Sequence, residues 1–244
     1  MELDFGTEFD TFREEVRAFI KGNWPPADGN LKSHENERTF VMAGVDRGYM
    51  HRSIPKAYGG SEQPSDIIKA EIIREELTKA RAPAGRIPGN GLVVPVLLEW
   101  GTEEQKQKWI APTLRGDIIW AQGFSEPNAG SDLAALRTKA ELTADGSKWI
   151  INGQKIWTTH GHKATHMFCL VRTEPDAQKH AGISYLLVDI RQPGVTVRPL
   201  VQMTGQKEFS EVFFDNAETP ADMLVGERGK GWNVTRSTLK HERS

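Results

Sequence analysis

The stretch Lys148-Trp-Ile-Ile-Asn-Gly-Gln-Lys-Ile-Trp-Thr-Thr159 decides the fold. Its apolar residues form two short runs, Trp149–Ile151 and Ile156–Trp157, separated by Asn152-Gly153. Asn-Gly between apolar runs is a strong hairpin signal, because both residues tolerate the positive φ of a type I′ turn. The spacing therefore predicts a hairpin centred on Asn152-Gly153. Further candidate strands follow at Met167–Arg172, Ile183–Asp189, Val195–Leu200 and Glu211–Asp215. Pro175, Gly182, Pro193-Gly194 and Gly205 punctuate them, which reads as an antiparallel barrel or sandwich.

Upstream of Asp117 the period is helical. Phe5, Phe9, Phe12, Val16, Phe19 and Ile20 share one helical face, ended by Gly22 and Pro25-Pro26. Val41, Val45 and Met42 carry a second stripe. Ser65 offers an N-cap for a third helix whose core face is Ile68, Ile72, Ile73 and Leu77. Leu92–Trp100 continues as a mostly apolar helix. Thr102-Glu-Glu-Gln105 forms a capping box that starts a helix running to Leu114 and stopping at Gly116. At the other end, after Gly226, Gly229 and Gly231, Trp232–Arg243 regains helical spacing through Val234, Leu239 and Glu242, with no C-cap signal. The fold class expected is α+β. It has an all-α helical domain (1–116), an antiparallel β domain (117–228) and the start of a C-terminal helical domain (229–244).

Of the 244 residues, 38% are hydrophobic, with 10 Phe and 7 Trp, enough for a sizeable core. A net charge of −2 gives no electrostatic reason to expect nucleic acid. The single Cys169 excludes an internal disulfide framework and fits a reducing compartment. Residues 1–6 lack the basic start and apolar core of a signal peptide. The longest apolar run, Leu92–Leu98, is broken by Pro95 and too short to span a bilayer. These features suggest a soluble cytoplasmic protein.

A second stretch carries the polar chemistry: Gln122-Gly-Phe-Ser-Glu-Pro-Asn-Ala-Gly-Ser-Asp-Leu133. Pro127, Asn128, Gly130 and Ser131 force an irregular turn after the apolar Ile118–Ala121. Two hydroxyls, two carboxylates and several free amides gather there, as they would also in a solvated turn. Glu126 and Asp132 read as loop-orienting groups rather than an acid–base pair. Trp157-Thr-Thr159 is a second polar cluster, whose plain reading is a strand Trp beside two surface threonines. His160, His162, His166 and Cys169 come nearest to a metal cluster. Gly161 spoils their geometry, no further cysteine or carboxylate completes a ligand spacing, and no metal site is expected.

Four segments taken together resemble the acyl-CoA dehydrogenases. They are Gly101-Thr-Glu-Glu-Gln-Lys106, Ser125-Glu-Pro-Asn-Ala-Gly-Ser-Asp132, Lys148–Gly161 with its N-G-Q-K-I-W-T, and Glu211–Gly231 with its E-V-x-F-D and glycines. The resemblance covers nearly the whole chain in the right order. Phe124 departs from it where a smaller aliphatic residue is usual, His160 departs where Asn is more common, and most of the C-terminal bundle is absent.

The resemblance implies a flavoenzyme that removes the α-proton and a β-hydride from an acyl-CoA thioester, FAD supplying the hydride acceptor. Electrons would pass to an electron-transfer flavoprotein. It places Gln122, Phe124, Ser125, Trp157, Thr158 and Thr159 at the cofactor, Trp157 against the isoalloxazine and Thr159 near its N5. Ser131 falls near the pyrophosphate or the pantetheine and Arg243 near the substrate. Glu242, in the first helix of the C-terminal domain, takes the place of the catalytic base. A competing placement puts the base on a later helix, and a solvated Glu242-Arg243 pair is the plain reading. The resemblance further implies homo- or hetero-tetramers, and the Q-G-F-S variant is similar to members that accept bulky acyl groups such as sterol side chains. The alternative expectation is a non-catalytic subunit or truncated scaffold that does not bind FAD by itself.

Overall fold

A computed structural model of the chain describes residues 6–242. Phe5 and Arg243 therefore lie outside the described residues. The chain divides into two compact units, one of residues 6–86 and 114–116, the other of residues 87–113 and 117–242.

The first unit holds α1 (Thr7–Asn23), α2 (His34–Asp46) and α3 (Ile67–Ala80). Their apolar stripes meet as Val16 and Ile20 of α1, Phe40, Val41 and Val45 of α2, and Ile73 and Leu77 of α3. The cap of α3 is Asp66 rather than Ser65, its carboxylate accepting from the Lys69 amide at 2.9 Å. A carboxylate also gains from the positive end of the helix dipole, which a hydroxyl does not.

On the inner side of α3 the Glu76 carboxylate, only 5% exposed, accepts from Arg13 Nη1 at 2.7 Å, Arg17 Nε at 2.8 Å and Lys79 Nζ at 3.2 Å. Burial alone would push its carboxyl up, but donors from Arg17, Arg13 and Lys79 outweigh burial and hold it at about 2, against an ordinary 4.5. A depressed carboxyl contributes stability that is present above its unfolded value and lost as the pH falls through its folded one. Acid titration followed by helical circular dichroism should therefore show a loss between the ordinary carboxyl range and pH about 2, as the Glu76 pKa implies. Glu76→Gln should flatten that part of the profile, and an unchanged profile would show that the network contributes nothing.

The second unit contains α4 (Asn90–Trp100), α5 (Glu103–Leu114), eight strands and α6 (Gly231–Glu242). The strands are β1 (Trp120–Gly123), β2 (Lys139–Leu142), β3 (Lys148–Thr159), β4 (His166–Arg172), β5 (Ile183–Asp189), β6 (Val195–Pro199), β7 (Phe209–Pro220) and β8 (Leu224–Val225). They form one mostly antiparallel sheet in the order β6-β7-β3-β2-β4-β5-β8, with β1 parallel to β4. The α+β expectation holds, helices first and sheet second. The sequence limits at 116/117 and 228/229 follow the change of period. Compactness groups α4 and α5 with the sheet, because they pack in its unit.

The capping box forms as its chemistry requires. Gln105 N donates to Thr102 Oγ1 at 3.2 Å and Thr102 N donates to Gln105 Oε1 at 3.1 Å. The Gln105 amide reaches further, to the carbonyls of Asp222 at 2.7 Å and Leu224 at 2.9 Å, which ties α5 to the segment before β8.

The predicted Asn152-Gly153 hairpin is corrected. Lys148–Thr159 is one continuous strand, paired with β2 on one side and β7 on the other. Partners on both edges hold it extended, so a turn there would forfeit hydrogen bonds to two neighbours. Gly153 instead allows a close approach, since at φ 148° a Cβ on it would sit 2.6 Å from the Thr138 Cα, and the bulge opposite lies on β7, where Asn216 is left-handed. The hairpin turn lies earlier, at Asp145-Gly146, where Thr143 N donates to Lys148 O at 2.8 Å and Asp145 Oδ1 accepts from Ser147 N at 3.1 Å. Among the described residues no helix is long and apolar enough to cross a membrane.

Candidate functional site

β1 is short because Pro127 and Asn128 follow it closely, and it releases the chain into the loop of residues 124–138 beside β3. The loop is tied down at both ends. Ile156 N donates to Ser125 O at 3.0 Å. Farther along, Glu126 accepts from Arg137 N at 2.6 Å and Thr138 N at 2.9 Å. Glu126 also receives the Lys155 ammonium at 2.8 Å, and that ammonium donates to Phe124 O at 3.1 Å. Burial would raise the Glu126 carboxyl, yet the Lys155 charge and these donors leave it below the usual range. Glu126 is thus a loop-orienting anion, not an acid.

Other polar groups of this loop have no partner among the described residues. Ser125 is half-buried, and neither its amide nor its hydroxyl has a partner among the described residues. Ser131 and Asp132 are exposed, with amides and side chains equally unengaged. Gln122, half-buried, pairs in register with Phe168 on β4. The Phe124 ring turns inward, edge-on to Phe168 at 5.9 Å and Tyr185 at 6.2 Å, so only its backbone is on the loop's outer side.

The second loop ends β3. A register shift between Lys155 and Thr158 accompanies a left-handed Trp157, at φ 58°, an uncommon backbone for an aromatic residue. The twist leaves the indole 60% exposed, edge-on to Phe209 at 5.9 Å. Thr159 is exposed as well, whereas Thr158 is fully buried opposite Ser210 of β7. Its backbone is taken up in the ladder with β7, and its buried hydroxyl has no hydrogen-bond partner among the described residues.

The Ile156–Ser125 bond and the Lys155 bridge bring the two loops side by side. Together they present a flat exposed indole, the hydroxyls of Ser125 and Thr159, and free loop amides. Such a surface can hold a flat aromatic cofactor whose carbonyls and phosphates accept hydrogen bonds. His166 is enclosed by the Trp109 and Trp120 rings, each 5.2 Å away, and Cys169 is wholly buried. Among the described residues no three His, Cys, Asp or Glu side chains converge as a metal would need.

Glu242 is exposed at the end of α6 and bonds to neither loop. The helix that carries it is firmly seated. Gly231 packs so closely on β5 that a Cβ would lie 2.6 Å from the Ser184 carbonyl carbon, and Gly229 N donates to Ser184 Oγ at 2.8 Å. Thr238 Oγ1 lies 3.4 Å from the Tyr185 hydroxyl, and Tyr185 touches Phe124. Just before α6 a cavity of about 530 Å³ is lined by His180, Arg228, Gly229, Lys230, Trp232 and Asn233 among others. Glu174 lines it as well and is ion-paired with Arg228, Lys230 is ion-paired with Glu227, and the His180 imidazole and Trp232 indole lie 4.3 Å apart.

Sequence reasoning missed Lys155 as a site residue. A signal existed: Trp149 and Ile151 point inward, and the same alternation carries Lys155 inward, where an ammonium demands a carboxylate. It missed the cavity before α6 altogether, because the residues come from two distant segments.

Comparison with known proteins agrees with this arrangement. Residues 7–117 match the family model described as the N-terminal domain of acyl-CoA dehydrogenase, and residues 121–217 match that of its middle domain. "Acyl-CoA dehydrogenase IpdE1" of Mycobacterium tuberculosis is 50% identical over 250 residues, covering 97% of this chain and 63% of the relative. The crystal structure of the ChsE4-ChsE5 complex from Mycobacterium tuberculosis is similar with TM-score 0.74 and 30% identity, over 99% of this chain and 61% of that one. The structure described as Tcur3481-Tcur3483 steroid ACAD gives TM-score 0.75 and 32% identity, over 100% and 63%. The chain spans less than two thirds of the length of each of these relatives.

Proposed function

Since the chain belongs to the acyl-CoA dehydrogenase family, we propose that it serves the FAD-dependent oxidation of an acyl-CoA thioester to its 2-enoyl form. Electrons then pass to an electron-transfer flavoprotein. The observation that carries this reading is the Trp157 indole, 60% exposed on a left-handed backbone and bordered by the free hydroxyls of Ser125 and Thr159.

When bound, FAD supplies the hydride acceptor that a saturated β-carbon requires. The chain's own residues bind and orient. Trp157 offers a face to the ring system. Ser125, Thr159 and the backbone at Gln122 and Phe124 offer donors along the ring edge, Thr158 stands behind them with its hydroxyl unpartnered, and Ser131 stands near the phosphates or the pantetheine. The cavity before α6, where the His180 and Trp232 rings lie 4.3 Å apart, suits the adenine of coenzyme A. Glu242 is the proposed base for the α-proton, with Arg243 beside it in sequence. Likeness to proteins described as a steroid ACAD and as a two-component complex supports a bulky acyl group and a homo- or hetero-tetramer. A cytoplasmic setting and domain limits at 1–116, 117–228 and 229–244 complete the proposal.

One observation favours a second reading, a scaffold that does not turn over substrate: Glu242 is exposed and meets neither loop. One experiment separates the two. Purified chain titrated with FAD should quench its tryptophan fluorescence and acquire a flavin absorbance band, and Trp157→Ala should weaken binding about tenfold, roughly one lost aromatic contact. No flavin retained on the chain once free FAD is removed, and no quenching, would favour the scaffold.

A further inference from the structure

Lys155 is fully buried, as lysines almost never are without a reason. A buried ion pair is weak evidence for stability, since well-packed apolar residues often do as well. Its geometry says more. One ammonium holds the Glu126 carboxylate at 2.8 Å and the Phe124 carbonyl at 3.1 Å, two residues before Trp157 in the chain. The peptide joining Phe124 to Ser125 is planar and trans, so its C=O and N–H point in opposite directions. With the Phe124 carbonyl drawn inward to Lys155, the Ser125 amide is turned outward, and it has no partner among the described residues. Glu126, held by the same ammonium, anchors the far end of the loop through Arg137 N and Thr138 N.

We propose that Lys155 is a positioning residue whose buried ammonium, by gripping the Phe124 carbonyl and Glu126, aims the Ser125 amide and hydroxyl at the bound cofactor. It also fixes the spacing between the two halves of the cradle. The inference rests on the cradle reading given above and adds the device that sets it.

Glu126→Gln/Lys155→Met tests it, because the double variant leaves no lone buried charge and the new carboxamide still accepts from a loop amide. Its folding is followed by circular dichroism and thermal melting, its affinity for FAD by fluorescence quenching. The expected result is a folded protein that binds FAD at least about tenfold more weakly and in which Ser125→Ala costs no further affinity, as expected of coupled residues. Equal FAD affinity in a folded double variant would reduce Lys155 to a structural staple and overturn the proposal. Should the double variant not fold, Lys155→Gln, one atom shorter and uncharged so that it loosens the grip on both the Phe124 carbonyl and Glu126, is read by the same two outcomes. Failure of the unaltered protein to bind FAD would instead remove the cradle reading itself, so the two failures are distinct.

Discussion

With Lys155 alone replaced by Met, the chain is expected to lose about 3–5 kcal/mol of stability in urea unfolding. The ammonium and the Glu126 carboxylate are both buried, and the single change strands the anion. Two amides still donate to that anion, from Arg137 and Thr138, which places the loss toward the lower end. A stranded buried carboxylate prefers to be neutral, so the deficit should shrink as the pH falls into the carboxyl range. A loss under about 1 kcal/mol, the worth of a surface pair, would mean that Glu126 rotates to solvent when released.

Glu242→Gln should have the largest effect on rate. In whichever length of the protein turns over acyl-CoA with an artificial electron acceptor, kcat should fall by about 10²–10⁴, the usual contribution of a general base. FAD affinity should be untouched, because Glu242 lies on α6 and bonds to neither cradle loop. The amide keeps the shape of the side chain and removes only its ability to take a proton. Unchanged turnover would move the base to another residue.

How much of this was legible in sequence depended on locality. The helix stripes of α1, α2 and α3 and the capping box of α5 were readable because helical order is made within a few residues. β4 and β5 were readable as near-continuous apolar runs, since they are covered on both faces. β2 was invisible: Lys-Ala-Glu-Leu buries only Ala140, too little to make a pattern. Asn152-Gly153 misled because turn chemistry is a local preference, while the strand around it has partners on both edges. For the site, spacing alone showed two polar loops, and only the family resemblance joined them. It could not show which residues of the loops face out, and Phe124 and Thr158 both turn their side chains in. The Lys155–Glu126 bridge spans 29 positions, a distance at which no local pattern speaks.

The lone thiol has a practical consequence. Cys169 sits wholly enclosed in β4, a strand flanked by β1 and β5, and its surroundings raise the thiol to about 11. Thiolate is the reactive form, so alkylation must wait until the sheet opens. The protein thus carries its own clock for breathing motions. Labelling at low reagent would report the equilibrium opening of β4, and labelling at saturating reagent its opening rate. Any ligand that braces the second unit should slow both.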